Sequence, residues 1–212
     1  MTPTRHWPDR LLSAADEALR TLAGVASAAR QSPTAGLADD ALEPDARQRS
    51  AALMRVNHAG EIAAQALYTG QAILARSQAT RAQLLKAGRE EQDHLAWCRE
   101  RLDELGARPS LLTPLWYTGA FALGVLAGAA GDRVSLGFVA ETERQVETHL
   151  RDHLARLPER DRRSAAILER MAADEAHHGT TAVLAGGVEP PRSVSSIMAV
   201  GGEILRQVAA RL

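Results

Sequence analysis

The sequence predicts an all-α protein: a bundle of four long helices, with a long apolar crossover helix and accessory N- and C-terminal helices. Three observations predict it. The apolar content is carried by Ala, Leu and Val rather than by aromatic or β-branched runs, and Ala, Leu, Arg, Gln and Glu are good helix formers. Four long stretches repeat their apolar positions at intervals of three and four. The pattern Glu-x-x-His occurs twice, each time in the second stretch of a pair. With 212 residues and no break in composition, the chain has room for one domain with a sizeable core. Residues 1–45 read as an accessory helix and connector, and 46–212 as the main domain.

Taken in order, Asp9 to Leu22 places Leu11, Leu12, Ala15, Ala18, Leu19 and Leu22 on one face, an amphipathic accessory helix. Gly24 to Pro44 mixes Ser, Thr, Asp, Gly and the prolines Pro33 and Pro44, and reads as a connector. The bundle helices are predicted over about Ala46 to Arg76, Ala79 to Leu105, Asp132 to Leu157 and Asp161 to Leu184, each bounded by Gly, Pro, Ser or Asp. Almost nothing joins the first two, or the last two across Pro158, so each pair is an antiparallel hairpin. Gly106 to Gly131 crosses from one end of the bundle to the other. No charged residue occurs from Pro109 through Gly131. Length alone permits a membrane span, but Pro114 breaks the segment early and Gly119, Gly124 and Gly128 dilute it, so a helix partly in the core and partly facing a membrane is expected. A last helix from about Ser195 to Leu212, apolar on one face, caps the bundle or meets a partner.

Composition removes several function classes. Lys plus Arg number 25 against 26 for Asp plus Glu, with no basic run, so no nucleic-acid partner is expected. The single cysteine, Cys98, excludes an intrachain disulfide and a cysteine-built metal site, suits a reducing compartment, and reads as a small core residue. The N-terminal region carries Asp9, Asp16 and Glu17 and shows no secretory signal, so a cytoplasmic location is expected.

Glu91 with His94, and Glu175 with His178, stand three apart, which puts each pair on one helix face. One such pair arises by chance on solvated helices. Two, each on the second helix of its hairpin, do not dismiss so easily. The first helices each add a carboxylate at a matching place: Glu61 lies 30 residues before Glu91, and Glu143 lies 32 before Glu175. This is the plan of ferritin-like di-metal carboxylate bundles. Residues a helical period to either side are apolar: Met54 and Tyr68 around Glu61, Leu84 and Cys98 around Glu91, Leu136 and Leu150 around Glu143, Leu168 and Ala182 around Glu175. The acids therefore face inward, where four bare carboxylates would cost several kcal/mol each and two divalent cations would neutralise them. Carboxylates with imidazole suit iron, and also manganese. Glu90 and Asp174 precede the ligand glutamates and are placed to accept the free ring N–H of the histidine on the facing helix. His58 and His149 are further candidates near the site, and Tyr68 reads as core.

The strings Asn57-His58-Ala59-Gly60-Glu61, Glu91-Gln92-Asp93-His94, Glu141-Thr142-Glu143-Arg144-Gln145-Val146-Glu147 and Asp174-Glu175-Ala176-His177-His178 resemble the demethoxyubiquinone hydroxylases of ubiquinone biosynthesis. The resemblance runs from about Arg55 to Leu184. It places the iron ligands on Glu61, Glu91, His94, Glu143, Glu175 and His178, with Glu141 and Glu147, and the pair Asp174 and His177, as register alternatives. It implies two Fe ions and dioxygen as co-substrate, one oxygen atom entering the unsubstituted ring carbon of a polyprenylated 2-methoxy-5-methyl-benzoquinol and the other leaving as water. NADH or the quinol itself is the implied electron source; no Gly-rich nucleotide fingerprint is present. No separate acid or base and no substrate-binding residue is assigned. A bilayer-dissolved substrate implies peripheral association with a membrane surface, at the cytoplasmic face of the inner membrane, and contact with other ubiquinone-biosynthesis proteins. The rival readings are a ferritin-like ferroxidase or iron-handling protein, a metal-free lipid-binding or assembly module and, more remotely, a manganese catalase.

Overall fold

The computed structural model describes residues 7–24, 27–39 and 41–212; residues 1–6, 25, 26 and 40 of the segment expected over 1–45 lie outside the described residues. The described residues form helices and no strand: α1 (Trp7–Leu22), α2 (Pro44–Leu74), α3 (Gln78–Glu104), α4 (Thr113–Ala129), α5 (Asp132–Arg156), α6 (Arg162–Leu184) and α7 (Arg192–Ala209). The chain is all-α, with a ferritin-like arrangement: hairpins α2–α3 and α5–α6 pack together, and α4 makes the crossover along α2.

Local chemistry sets the helix ends. Pro44 opens α2 two residues before the expected start, because its missing N–H is one a first turn leaves unbonded anyway. The Ser77 hydroxyl accepts from the N–H groups of Ala79 and Thr80 to start α3, and the Asp161 carboxylate accepts from Ser164 N–H to start α6. Each cap follows a short turn, which forces the antiparallel hairpins.

Two of the crossover glycines, Gly124 and Gly128, have a packing reason that composition hid. A Cβ on Gly124 would meet the Leu67 carbonyl oxygen at 2.3 Å, and one on Gly70 would meet the Phe121 carbonyl oxygen at 2.6 Å. Helices α2 and α4 thus touch backbone to backbone, which only glycine permits. The opposite side of α4 exposes Leu115, Leu123 and Leu126. Among the described residues, no helix is long and apolar enough to cross a membrane. Helix α1 is pinned by Arg10 to the carbonyls of Ile73 and Ala75 and by the Thr21 hydroxyl to Gln65 Oε1 (2.6 Å), leaving Leu11, Leu12 and Leu19 exposed. Ala209 of α7 packs on Val56 and Ala59, while Ile197, Val200 and Ile204 stay exposed.

The core divides in two along the bundle axis. Met54, Cys98, Leu150 and Leu168 belong to one apolar cluster with Trp97, Leu102, Ile167 and Met171. Tyr68, Leu84, Leu136 and Ala182 belong to the other, with Ala72, Ala87 and Val139. These are the residues one helical period either side of the four glutamates. The acidic layer is therefore closed above and below by apolar side chains.

Candidate metal centre

Glu61 on α2, Glu91 and His94 on α3, Glu143 on α5, and Glu175 and His178 on α6 meet in this layer, all buried. They form two overlapping groups. Glu61, Glu91, His94 and Glu175 make one, and Glu91, Glu143, Glu175 and His178 the other, with one ligand atom per residue and the atoms of each group within 4.8 Å of one another. Glu91 and Glu175 belong to both. His94 Nδ1 lies 3.2 Å from Glu91 Oε2, 3.2 Å from Glu175 Oε1 and 3.5 Å from Glu61 Oε2. His178 Nδ1 lies 3.2 Å from both Glu91 Oε1 and Glu175 Oε2. Both Nδ1 atoms face the carboxylates because both Nε2 atoms are engaged outside: His94 Nε2 lies 3.0 Å from Asp174 Oδ2, and His178 Nε2 lies 2.6 Å from Glu90 Oε2. A carboxylate on Nε2 fixes the tautomer that leaves the Nδ1 lone pair free for a cation.

The residues fit two divalent cations. Buried Glu61 Oε2, Glu91 Oε1 and Glu175 Oε1 accept no hydrogen bond, whereas most buried polar atoms are hydrogen-bonded. Without cations, protons must take the place of metal charge. Burial, reinforced by neighbouring carboxylates, raises Glu61 and Glu143 well above the carboxylate range. Burial opposes the charge on Glu91, but His94 and His178 outweigh it and hold Glu91 low. Burial also opposes charge on the histidines, yet the surrounding carboxylates push His178 up to about 12 and His94 well above its usual value. The two buried acid and histidine groups are compatible with a di-iron centre of nitrogen and oxygen donors.

At the two places where a neighbour has competing spacing, the geometry separates them. Glu141 accepts from Arg144 Nη2 (2.7 Å) and Gln145 Nε2 (2.6 Å), and only Glu143 joins the cluster. Asp174 turns to His94 Nε2 and His177 is exposed, whereas Glu175 and His178 point inward.

Neither His58 nor His149 is a member of the two groups. His58, three residues before Glu61, is buried, and burial lowers it to about 4. His149, six residues after Glu143, is on another face of α5; its Nε2 lies 3.2 Å from Asn57 Oδ1, which His153 Nδ1 also approaches at 3.0 Å. Sequence reading also passed over two contacts. Tyr68, placed as core, donates a short hydrogen bond to Glu143 Oε1; its period from Glu61 marked it as inward-facing but not toward which acid. Arg30 reaches Asp174 from the connector, where no periodicity signals a role.

Fold and site together define a ferritin-like protein of the di-metal carboxylate class. Within that class, the family model described as "Ubiquinone biosynthesis protein COQ7" matches residues 48–209. Similar proteins bear the name "3-demethoxyubiquinol 3-hydroxylase". That of Cupriavidus necator is 56% identical over 206 residues, 96% of this chain and 100% of that protein. That of Janthinobacterium sp. (strain Marseille) is 58% identical over 186 residues, covering 88% of this chain and 89% of its own. That of Xanthomonas oryzae pv. oryzae is 53% identical over 213 residues, covering 100% and 98%. The chain belongs to this family of di-iron hydroxylases.

Proposed function

We propose that this chain hydroxylates the unsubstituted ring carbon of a polyprenylated 2-methoxy-5-methyl-benzoquinol, demethoxyubiquinol, in ubiquinone biosynthesis. The carrying observation is the pair of overlapping groups sharing Glu91 and Glu175, in a chain more than half identical to proteins named for that reaction. In this reading Glu61 and His94 would hold one iron and Glu143 and His178 the other, with Glu91 and Glu175 serving both. Iron so bound supplies the redox chemistry that activates dioxygen. The protein's part is positional. Asp174 and Glu90 hold the two imidazole tautomers, Tyr68 holds one oxygen of Glu143, and the apolar clusters above and below the acidic layer keep water from it.

The exposed apolar residues of α1, α4 and α7 suit a protein that rests on a bilayer to meet a lipid-soluble substrate, at the cytoplasmic face of the inner membrane. Electrons come from NADH or the quinol, and other ubiquinone-biosynthesis proteins are the expected partners. Residues 1–45 serve as the accessory segment to a hydroxylase domain over 46–212. A ferroxidase alternative shares the centre but gives no use to Leu115, Leu123 and Leu126 on the surface.

The test is to incubate the iron-loaded protein with demethoxyquinol, reductant and oxygen-18. One labelled oxygen per product ring is expected; reduced iron, consumed oxygen and no label in the ring would sink the hydroxylase reading.

A further inference from the structure

The two histidines of the centre are held by unlike supports. On the His178 side, Glu90 receives Nε2 through Oε2, and its Oε1 is met at 2.8 Å by Lys86, a neighbour on the same helix whose side chain is 60% exposed. Such a pair contributes little and is easily exchanged for water. On the His94 side, the single oxygen Asp174 Oδ2 receives both His94 Nε2 at 3.0 Å and Arg30 Nη1 at 2.7 Å. Arg170 adds an exposed contact to Asp174 from its own helix.

Arg30 belongs to none of the bundle helices. Its Nε bonds Asp93 Oδ2, while the Ala29 and Arg30 backbone N–H groups donate to Asp93 Oδ1 at 2.6 and 3.3 Å. The guanidinium lies 5.0 Å over the Trp97 ring, and that ring packs at 5.5 Å against the His94 imidazole. One planar fork therefore spans α3 at Asp93 and α6 at Asp174, braced by an aromatic face, a geometry that arginine forms and lysine does not.

We propose that Arg30 is a positioning residue for the metal centre: by clamping Asp174 to Asp93 it fixes the carboxylate on His94 Nε2, and so aims His94 Nδ1 at its metal. The connector thereby becomes part of the His94 half through side-chain contacts, while toward the other half Arg30 Nη2 reaches only the Glu90 backbone carbonyl, at 3.4 Å, and not the carboxylate on His178. A merely structural strap would lower stability when cut but leave both metal half-sites alike. This role rests on the ligand set given above.

The test uses the full chain loaded with iron-57(II), read by Mössbauer spectroscopy, by Fe(II) affinity from chelator competition, and by circular dichroism for helix content. R30A is expected to keep its helices, to weaken one of the two irons about tenfold or more, and to change one ferrous doublet while sparing the other. R30K should recover part of that affinity, since one ammonium meets Asp174 or Asp93 but not both. D93N, which loosens the strap from the far end, should shift the same doublet less. If R30A is helical and both irons keep wild-type affinity and spectra, the positioning role is overturned. If R30A does not fold, R30K and D93N carry the test, and wild-type spectra in both overturn it. H94A separates the two levels: loss of one iron there with none affected in R30A defeats the positioning role alone, while two irons retained in H94A defeats the ligand set and this role together.

Discussion

The half of the centre built on Glu61 and His94 and the half built on Glu143 and His178 follow one plan in sequence and differ in their surroundings. Seven residues beyond Glu61 stands Tyr68, which donates across the bundle to Glu143; seven beyond Glu143 stands Leu150, which has no donor to return. Glu61 Oε2 accepts no hydrogen bond, and it lies in the neighbourhood of buried Cys98, whose thiol burial pushes up. The His94 half instead spends its polar contacts on the imidazole, through Asp174, which His94 and Arg30 hold well below the carboxylate range against the opposing effect of burial. The lesson is that an internal repeat fixes ligand type and spacing, while the outer contacts that tune each metal are free to diverge.

The largest effect tests the shared part. Replacing either shared acid, Glu91→Ala or Glu175→Ala, removes a ligand from both groups, so both irons and all hydroxylation should be lost, measured as metal per chain and product formed. Retention of two irons would break the idea that the halves share these residues. Next comes the contrast between supports. Asp174→Ala should lower Fe(II) affinity at one half by about 10- to 100-fold, and Glu90→Ala should act on the other; titration with chelator competition checks both, and a single site responding to both variants would erase the distinction. Tyr68→Phe leaves Glu143 without its donor while keeping the ring in the core. About a tenfold loss in affinity at the His178 half is expected from one hydrogen bond to a charged group, with the melting temperature little changed.

Protons sharpen the comparison further. Protons raised onto His94, His178, Glu61 and Glu143 must leave when cations enter, so Fe(II) affinity should climb with pH and loading should acidify a weakly buffered solution, as calorimetry in buffers of different ionisation enthalpy would show. The smallest effect lies outside the centre. Burial lowers His58 and His149 to about 4 and His153 to about 2. A depressed folded value means that the stabilising contribution is present above the unfolded value near 6.5 and lost as pH falls toward those folded values. The apo protein should therefore weaken from about pH 6.5 downward, and His149→Gln should flatten that loss in denaturant titrations.

Much of this was legible in the chain because helices convert spacing into direction. Glu-x-x-His needs only a helix to put two ligands on one face, and the apolar neighbours of Glu61, Glu91, Glu143 and Glu175 told which face was inward. The competing spacings of Glu141 against Glu143, and of Asp174 with His177 against Glu175 with His178, were less separable by periodicity, since each alternative lies within two positions of its rival. The crossover misled in one respect: Gly124 and Gly128 read as dilution of a membrane-facing helix, and they are where α4 meets the α2 backbone, whereas Gly119 faces open space.

The sequence by itself determined the helices, their pairing into hairpins and the donor spacing along each helix, because each depends on residues a few positions apart; it did not decide between neighbouring acids on α5 and α6. Only the tertiary structure decided what those donors lean on. Tyr68 reaching Glu143, Asn57 gathering His149 and His153, and Arg30 clasping Asp93 and Asp174 join residues separated by 63 to 144 positions. No local period relates such residues. They meet because the bundle folds four helices around one charged layer and lays the connector across it.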